Sequence, residues 1–254
     1  PYPKDKTIYQ LFEEQVKKTP DNIAVIFEDE QLSYKELNKK ANRCANYLIS
    51  LGVGQGSRVL LLLDRGIDYL VGMLGIWKAG SAFTPLNPDF PDAKNIDITS
   101  QVAAKVLLSD KKHLSQGERL SQKEQVISID AIYKADLSEA NLNIKTSSDD
   151  LAYIIFTSGS TGKPKGAMVQ QRGMINHLYA KIKDFDIGEQ DVVAQTATQT
   201  FDVHVWQFMV SLLVGGKTLV LVGENAWSPD KLLENIEKHK ISIFESVPAH
   251  FSLI

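Results

Sequence analysis

Val59-Leu60-Leu61-Leu62-Leu63, a helical repeat from Ile67 to Lys78 that stops at Gly80, and then Ala82-Phe83-Thr84-Pro85-Leu86 form the stretch on which the fold class turns. Apolar runs of strand length on either side of a helix predict a strand–helix–strand unit, and such units build parallel sheets covered by helices. Towards the N-terminus, Ile8, Leu11, Phe12 and Val16 recur at helical spacing and stop at Thr19-Pro20, and Ile23 to Phe27 reads as a strand. Glu28-Asp29-Glu30 turns into Gln31-Leu32-Ser33, where Ser33 and Glu36 spell a capping box, each side chain able to satisfy a free N–H of the first helical turn. The helix that follows points Leu37, Ala41, Cys44, Ala45 and Leu48 inward and ends at Gly52. Towards the C-terminus, strands are expected at Val106–Ser109, Gln125–Ile129, 151–157, 167–169, 191–195, 218–222 and 241–246, with helices at 173–183, 203–214 and 229–239. The expected class is α/β, with mainly parallel β-sheets flanked by helices. The polar stretch Asn141 to Asp150 reads as a linker or surface loop, dividing a first α/β section, 1–145, from a second, 146–254.

Composition excludes several functions. The 254 residues are 43% hydrophobic and 23% charged, enough apolar content for a sizeable core. One Cys rules out a disulfide framework and a multi-thiolate zinc site, and Cys44, on the apolar face of its helix, is expected to be a core thiol. Lys+Arg 28 against Asp+Glu 31 gives a net charge of −3, so nothing electrostatic calls for nucleic acid as a partner. No apolar run approaches the roughly 18 residues of a membrane span. Pro1-Tyr2-Pro3-Lys4-Asp5 has no signal-peptide core, which makes a cytoplasmic setting the expectation. Pro248 to Ile254 reads as the opening turn of an amphipathic helix, so the chain is expected to be the opening part of a longer polypeptide.

Chemistry concentrates in three places. Gly52-Val53-Gly54-Gln55-Gly56 is not one of them: a dinucleotide fingerprint runs strand, glycines, helix, whereas these glycines follow a helix and precede a strand, as a cap and turn would. Thr157-Ser158-Gly159-Ser160-Thr161-Gly162-Lys163-Pro164-Lys165-Gly166 follows an apolar strand and mixes hydroxyls, glycines and lysines. Glycines let backbone N–H groups approach an anion, hydroxyls donate to phosphate oxygens and lysines bring point charge. The spacing is not that of a Walker A loop, because Gly159 and Gly162 are too close and Pro164 stands where Ser or Thr is required. A plain surface loop of small residues is the competing reading. In Phe201-Asp202-Val203-His204-Val205-Trp206, a helix starting near Asp202 would put Asp202, Val203 and Trp206 on one face, a carboxylate beside an apolar wall that suits an amine. Local sequence favours Asp202 as a plain N-cap, and His204 lies off that face with no assigned role and no partner at metal-ligand spacing. Glu245 ends Ile241-Ser242-Ile243-Phe244-Glu245, and alternation places it with Ile241 and Ile243, opposite Phe244. A carboxylate there needs a cation, from a ligand or from the protein's own Lys or Arg.

The stretch from Leu151 to Gly166 resembles the signature of AMP-forming adenylating enzymes, the superfamily of acyl-CoA synthetases, luciferases and the adenylation domains of nonribosomal peptide synthetases. Leu32-Ser33-Tyr34-Lys35-Glu36-Leu37 and Trp77-Lys78-Ala79-Gly80-Ser81-Ala82-Phe83-Thr84-Pro85-Leu86 look like two further motifs of that superfamily, and Phe201 to Trp206 like the peptide-synthetase form of a fourth. Asn87 departs from the Asp usual after Pro-Leu. The resemblance implies the fold of the superfamily's large N-terminal subdomain. It also implies a reaction: an amino acid's carboxylate attacks the α-phosphorus of Mg-ATP, and the acyl group passes to the phosphopantetheine of a peptidyl carrier domain, in antibiotic or secondary metabolite biosynthesis.

Carried over by position, Thr157, Ser158, Gly159, Ser160, Thr161, Gly162 and Lys163 would hold the phosphates of ATP, with Thr157 or Thr161 near Mg2+. Asp202 would pair with the substrate's α-ammonium group, which reverses the N-cap preference, and Val203, Trp206 and Glu245 would line the side-chain pocket. Glu245 there suggests a basic substrate such as ornithine, lysine or arginine, the alternatives being a salt bridge to a protein cation or a polar neutral substrate. Ligases of acyl or aryl acids and D-alanine ligases of the same superfamily are the runner-up, and a non-enzymatic nucleotide-binding module comes last. The superfamily's catalytic lysine and ribose-binding Asp have no counterpart in these residues, so the remainder of the adenylation domain is an implied partner and the chain alone is expected not to form an adenylate.

Overall fold

The structure, a computed structural model, describes residues 2–157 and 163–247. In chain order the elements are α1 (Ile8–Lys18), β1 (Ile23–Phe27), β2 (Glu30–Ser33), α2 (Tyr34–Ser50), β3 (Arg58–Leu62), α3 (Ile67–Lys78) and β4 (Ala82–Pro85). Then come α4 (Asp92–Val102), β5 (Val106–Ser109), α5 (Leu114–Leu120), β6 (Gln125–Ser128), α6 (Ile129–Lys134), β7 (Leu151–Thr157) and β8 (Lys165–Gln170). The last are α7 (Gln171–Asp184), β9 (Val192–Gln195), α8 (Val203–Met209), a 3-10 turn (Ser211–Leu213), β10 (Lys217–Val220), α9 (Glu224–Trp227) and α10 (Pro229–His239).

The strands form a six-stranded sheet, β6-β5-β3-β4-β7-β8, and a four-stranded sheet, β2-β1-β10-β9. Pairing is parallel except for β1 with β2 and β7 with β8. The division at residue 145 does not separate two sheets: β1 and β2 complete a sheet with β9 and β10, and β7 and β8 extend a sheet begun by β3 to β6. Along β3, Val59 and Leu61 face a core shared by both sheets, while Leu60 and Leu62 face α4 and α5 across the other side. The shared core takes Phe12 of α1, Leu37 of α2, Leu70 of α3, Leu178 of α7 and Phe208 of α8, so these helices lie between the sheets. On the far face of the four-stranded sheet, Val192 and Leu219 pack on Ala226 and Leu232 of α9 and α10.

Local chemistry explains the element ends. The Ser33 N–H and hydroxyl both donate to the Glu36 carboxylate, and Ser33 Oγ accepts the Glu36 N–H, so the capping box is made as read. Tyr34 then reaches across to donate to the carbonyl of Gly216 at 2.6 Å, tying α2 to the four-stranded sheet. The Trp77 indole donates to the carbonyl of Ala152 at 2.8 Å, so the end of α3 braces β7. Gly52 closes α2 with φ +78°, which places the Gly52–Gly56 stretch as the expected cap and turn.

Two expected elements differ. The helix read over 203–214 breaks after Met209 into the 3-10 turn. The strand read over 241–246 contracts to one parallel bridge, Val193 to Ile243, because the Ser242 and Ile243 N–H groups both go to the Val192 carbonyl. That doubled bond breaks the pleat: Ile241 packs with Phe244 on the α9–α10 side, and Ile243 on the shared core. The turn expected at 248–254 lies outside the described residues.

The close approach of α2 and α3 sets a test. A Cβ on Gly75 would meet the Cys44 Sγ at 2.5 Å and the Ala41 carbonyl oxygen at 3.3 Å. Gly75→Ala is expected to lower stability by about 1–3 kcal/mol through overpacking, read as a lower urea midpoint at unchanged slope. Burial pushes the Cys44 thiol up to about 12, so a thiol reagent at neutral pH should label it only after unfolding.

Candidate functional site

The Leu151–Thr157 strand and Lys165–Gln170 form a hairpin, with Thr157 opposite Lys165, and the glycine-rich segment is its connection. β7 runs parallel to β4, so Thr157 stands at the carboxyl end of a parallel strand, where open α/β sheets bind ligands. Gly166 has to be glycine for packing reasons, since a Cβ would meet Ile154 at 2.9 Å and Phe156 at 3.0 Å. Ser158, Gly159, Ser160, Thr161 and Gly162 lie outside the described residues. Thr157 and Lys163, on either side of them, are exposed, and among the described residues neither side chain makes a hydrogen bond or ion pair. A hydroxyl and an ammonium group thus stand exposed at the two sides of that segment. Thr157 brings one hydroxyl and no carboxylate, so a Mg2+ ion there would depend on phosphate oxygens that arrive with it. The group of potential metal ligands found among the described residues, Asp64, Asp110 and His113, is elsewhere, with Asp64 already paired to Lys112 and His113.

Asp202 occupies the N-cap position of α8 but makes no side-chain capping bond. Its carboxylate is exposed and close enough to the Tyr153 hydroxyl to add to the burial that pushes that phenol up to about 12. Asp202 and the strand that leads to the glycine-rich segment are thus neighbours. Val203 is half-buried and Trp206 is 2% exposed, so the expected common face runs from solvent at Asp202 into the core at Trp206.

The segment that delivers Asp202 is held from several sides. Gln207, fully buried, accepts the N–H groups of Thr196 at 3.0 Å and Ala197 at 2.9 Å through one side-chain oxygen. Arg65, just beyond the end of β3, donates to the Thr196 carbonyl, and Gln199 donates back to the Leu63 carbonyl at 3.3 Å. A cleft of about 570 Å³ opens beside this junction, lined by Arg65, Asn87, Gln199 and Trp227 among others. Asn87, the departure from the usual Asp, caps its own turn by accepting the Asp89 N–H.

His204, left without a role by sequence, is the hub of α8. Its Nδ1 faces the Phe201 carbonyl, which can only accept, so Nδ1 carries the proton. Burial pulls its pKa down to about 4, the ring is neutral, and Nε2 accepts the Tyr69 hydroxyl at 3.1 Å. Edge contacts to Tyr69 and Phe83 complete its shell.

Glu245 meets a cation of the protein itself. Lys181, on the last turn of α7, lies 3.4 Å from the Glu245 carboxylate and 4.8 Å from the centroid of the Trp206 ring. The structure thus gathers Trp206 of α8, Lys181 of α7 and Glu245 of the segment after the Ile243 bridge. Sequence reading missed Lys181, whose place in a basic last turn looks like ordinary helix-end charge, and it missed Gln207 and Arg65, whose partners are backbone groups that no motif announces.

The chain matches the family model described as AMP-binding enzyme over residues 12–254. It is 38% identical to zwittermicin A synthase ZmaJ of Bacillus cereus, covering 96% of this chain and 46% of that protein. With gramicidin S synthase 1 of Brevibacillus brevis the identity is 34%, over 98% of this chain and 23% of the relative. With tyrocidine synthase 3 of Brevibacillus parabrevis it is 39%, over 98% of this chain and 4% of the relative. The chain therefore spans less than half the length of each of these proteins. Among solved structures, the nonribosomal peptide synthetase FmoA3 superposes on all of the chain with a TM-score of 0.91 at 26% identity, over 26% of its own length. FmoA3 with AMPPNP bound matches equally well, as does FmoA3 with alpha-methyl-L-serine-AMP bound.

Two outcomes follow from the buried polar groups. Gln207→Leu strands two N–H groups and is expected to cost about 2–6 kcal/mol in urea unfolding, each unmet donor being worth about 1–3 kcal/mol. His204 holds fewer protons folded than unfolded between its native value of about 4 and the ordinary 6.5. Its contribution is complete above the unfolded value and is lost as pH falls through that window, by about 3 kcal/mol in all. Unfolding free energies measured from pH 7 to 4.5 should fall less steeply for His204→Asn than for the native sequence.

Proposed function

Because the chain belongs to the AMP-binding enzyme family, we propose that it serves in amino-acid activation within a nonribosomal peptide synthetase adenylation domain. In this reading an amino acid and ATP give aminoacyl-AMP and pyrophosphate, and the aminoacyl group is then loaded onto the phosphopantetheine thiol of a peptidyl carrier domain. The observation that carries the proposal is the Asp202 carboxylate, exposed, uncommitted to its own helix and adjacent to Tyr153 on the strand that leads to the glycine-rich loop. An amine held at Asp202 and phosphates held at the end of β7 would place the two reactants of adenylate formation beside one another.

The division of labour follows. In-line displacement at phosphorus is catalysed by positioning and by stabilising charge. Thr157 and Lys163, with the intervening residues 158–162, would supply hydroxyl, N–H and ammonium donors to the phosphates. Mg2+ would come with the triphosphate and neutralise part of its charge. Asp202 would hold the α-ammonium group, Val203 and Trp206 would provide apolar wall, and Glu245 would face the side chain. A ligase for simple fatty acids has no use for Asp202, since those substrates carry no ammonium group to offset the carboxylate.

Pyrophosphate exchange into ATP, assayed on the protein that carries this chain across the amino acids, tests the proposal. Asp202→Asn is expected to lower kcat/KM for the preferred amino acid by about 100-fold or more, mainly through KM, as loss of a charge-paired contact does. Exchange supported equally by carboxylic acids without an amine would overturn it.

A further inference from the structure

The Lys181–Glu245 pair changes what the side-chain pocket can recognise. The sequence alone leaves Glu245 as a carboxylate in search of a cation. In the structure that cation is already present: Lys181 Nζ is 3.4 Å from Glu245 Oε2. The same ammonium lies 4.8 Å from the Trp206 ring centroid and 5.3 Å from that of Phe185, so two aromatic faces as well as a carboxylate hold it in place. Its side chain is 25% exposed and that of Glu245 39%, so both members of the pair are partly accessible.

We infer that Lys181 is a specificity-determining residue, which neutralises Glu245 and directs the pocket to an uncharged amino-acid side chain that donates a hydrogen bond, a hydroxyl or an amide, and away from basic ones. The inference rests on the proposed function, which places Glu245 and Trp206 in the substrate pocket. Charge and hydrogen-bonding capacity both favour a neutral donor. A basic side chain brought to Glu245 would set a second ammonium beside Lys181, and the repulsion between the two would offset what the carboxylate offers. Evicting Lys181 would forfeit its ring contacts. A neutral donor meets neither obstacle, because a carboxylate can accept about four hydrogen bonds and Lys181 approaches only one of its oxygens. Lys181 acts through Glu245 and is a positioning residue in this sense; it need not touch the substrate.

The test is the ratio of kcat/KM in pyrophosphate exchange for ornithine to that for the best neutral substrate, compared between the native sequence, Lys181→Gln and Lys181→Arg. The native protein should favour a hydroxyl or amide side chain, Lys181→Gln should raise the ratio by about tenfold or more, equivalent to about 1.4 kcal/mol, and Lys181→Arg should keep it native. A merely structural Lys181 would change activity towards all substrates alike and leave the ratio where it was, which overturns the inference. So would a native preference for ornithine, lysine or arginine. Should Lys181→Gln fail to fold, Glu245→Gln provides the reciprocal arm: it leaves Lys181 unpaired and should shift preference towards acidic side chains, an unshifted preference counting against the pair. Absence of exchange with every amino acid is a different result, which overturns the proposed function and the inference built on it.

Discussion

A neutral imidazole in the core ties the site to the fold. His204 sits on α8 between the Phe201 carbonyl, the Tyr69 hydroxyl of α3 and the Phe83 ring of β4. Its two nitrogens are spoken for in one tautomer only, so neither α8 nor the Phe201–Asp202 corner can turn without breaking a buried bond. Phe83 in turn contacts Tyr153 of β7, 5.8 Å between centroids. The chain of rings therefore connects the corner that presents Asp202 to the strand that ends at Thr157. Protonating the imidazole would put an unpaired charge into an apolar shell, and this is why burial pulls its pKa down to about 4.

Topology explains why such a connection is needed. Asp202 follows β9 of the four-stranded sheet, and the glycine-rich segment follows β7 of the six-stranded sheet. Both are at the carboxyl ends of parallel strands, yet no ladder hydrogen bond joins the two sheets among the described residues. What joins them is the shared layer of helices, with the Arg65 and Gln199 bonds across the strand ends. The resemblance motifs far from the site have work of this kind: Tyr34 braces α2 against Gly216, and the Trp77 indole braces β7 through Ala152.

Short-range physics made much of this legible in sequence. The capping box at Ser33 and Glu36, the glycine cap at Gly52 and the buried Cys44 each depend on residues within one helix and its ends, and the structure has all three. The strand–helix–strand reading of 59–86 held because an apolar run buried on both faces has few other places to go. The misses among the side-chain partners are long-range. His204 has no role in the sequence reading because Tyr69 is 135 positions away, and the expected alternative of a protein cation for Glu245 has no named partner there because Lys181 is 64 away. The 241–246 segment has strand composition, but it meets its neighbour at the point where Asp191 and Val192 already bond Ser242, and that local demand breaks the alternation.

The two acidic residues of the candidate pocket therefore have different standing. Asp202 sits where a cap would sit, makes no capping bond and is exposed. Glu245 is of the same chemical type, but its charge is answered by Lys181 within the fold. On the proposed reading, a ligand that satisfied both would need one cationic centre, at Asp202, and no second one. Free amino acids with neutral side chains have that single ammonium, whereas ornithine or lysine would bring an extra charge to a place already balanced. Counting carboxylates in a pocket thus misjudges its charge unless the protein's own cations are counted with them, and here the cation beside Glu245 comes from a helix end that carries no motif.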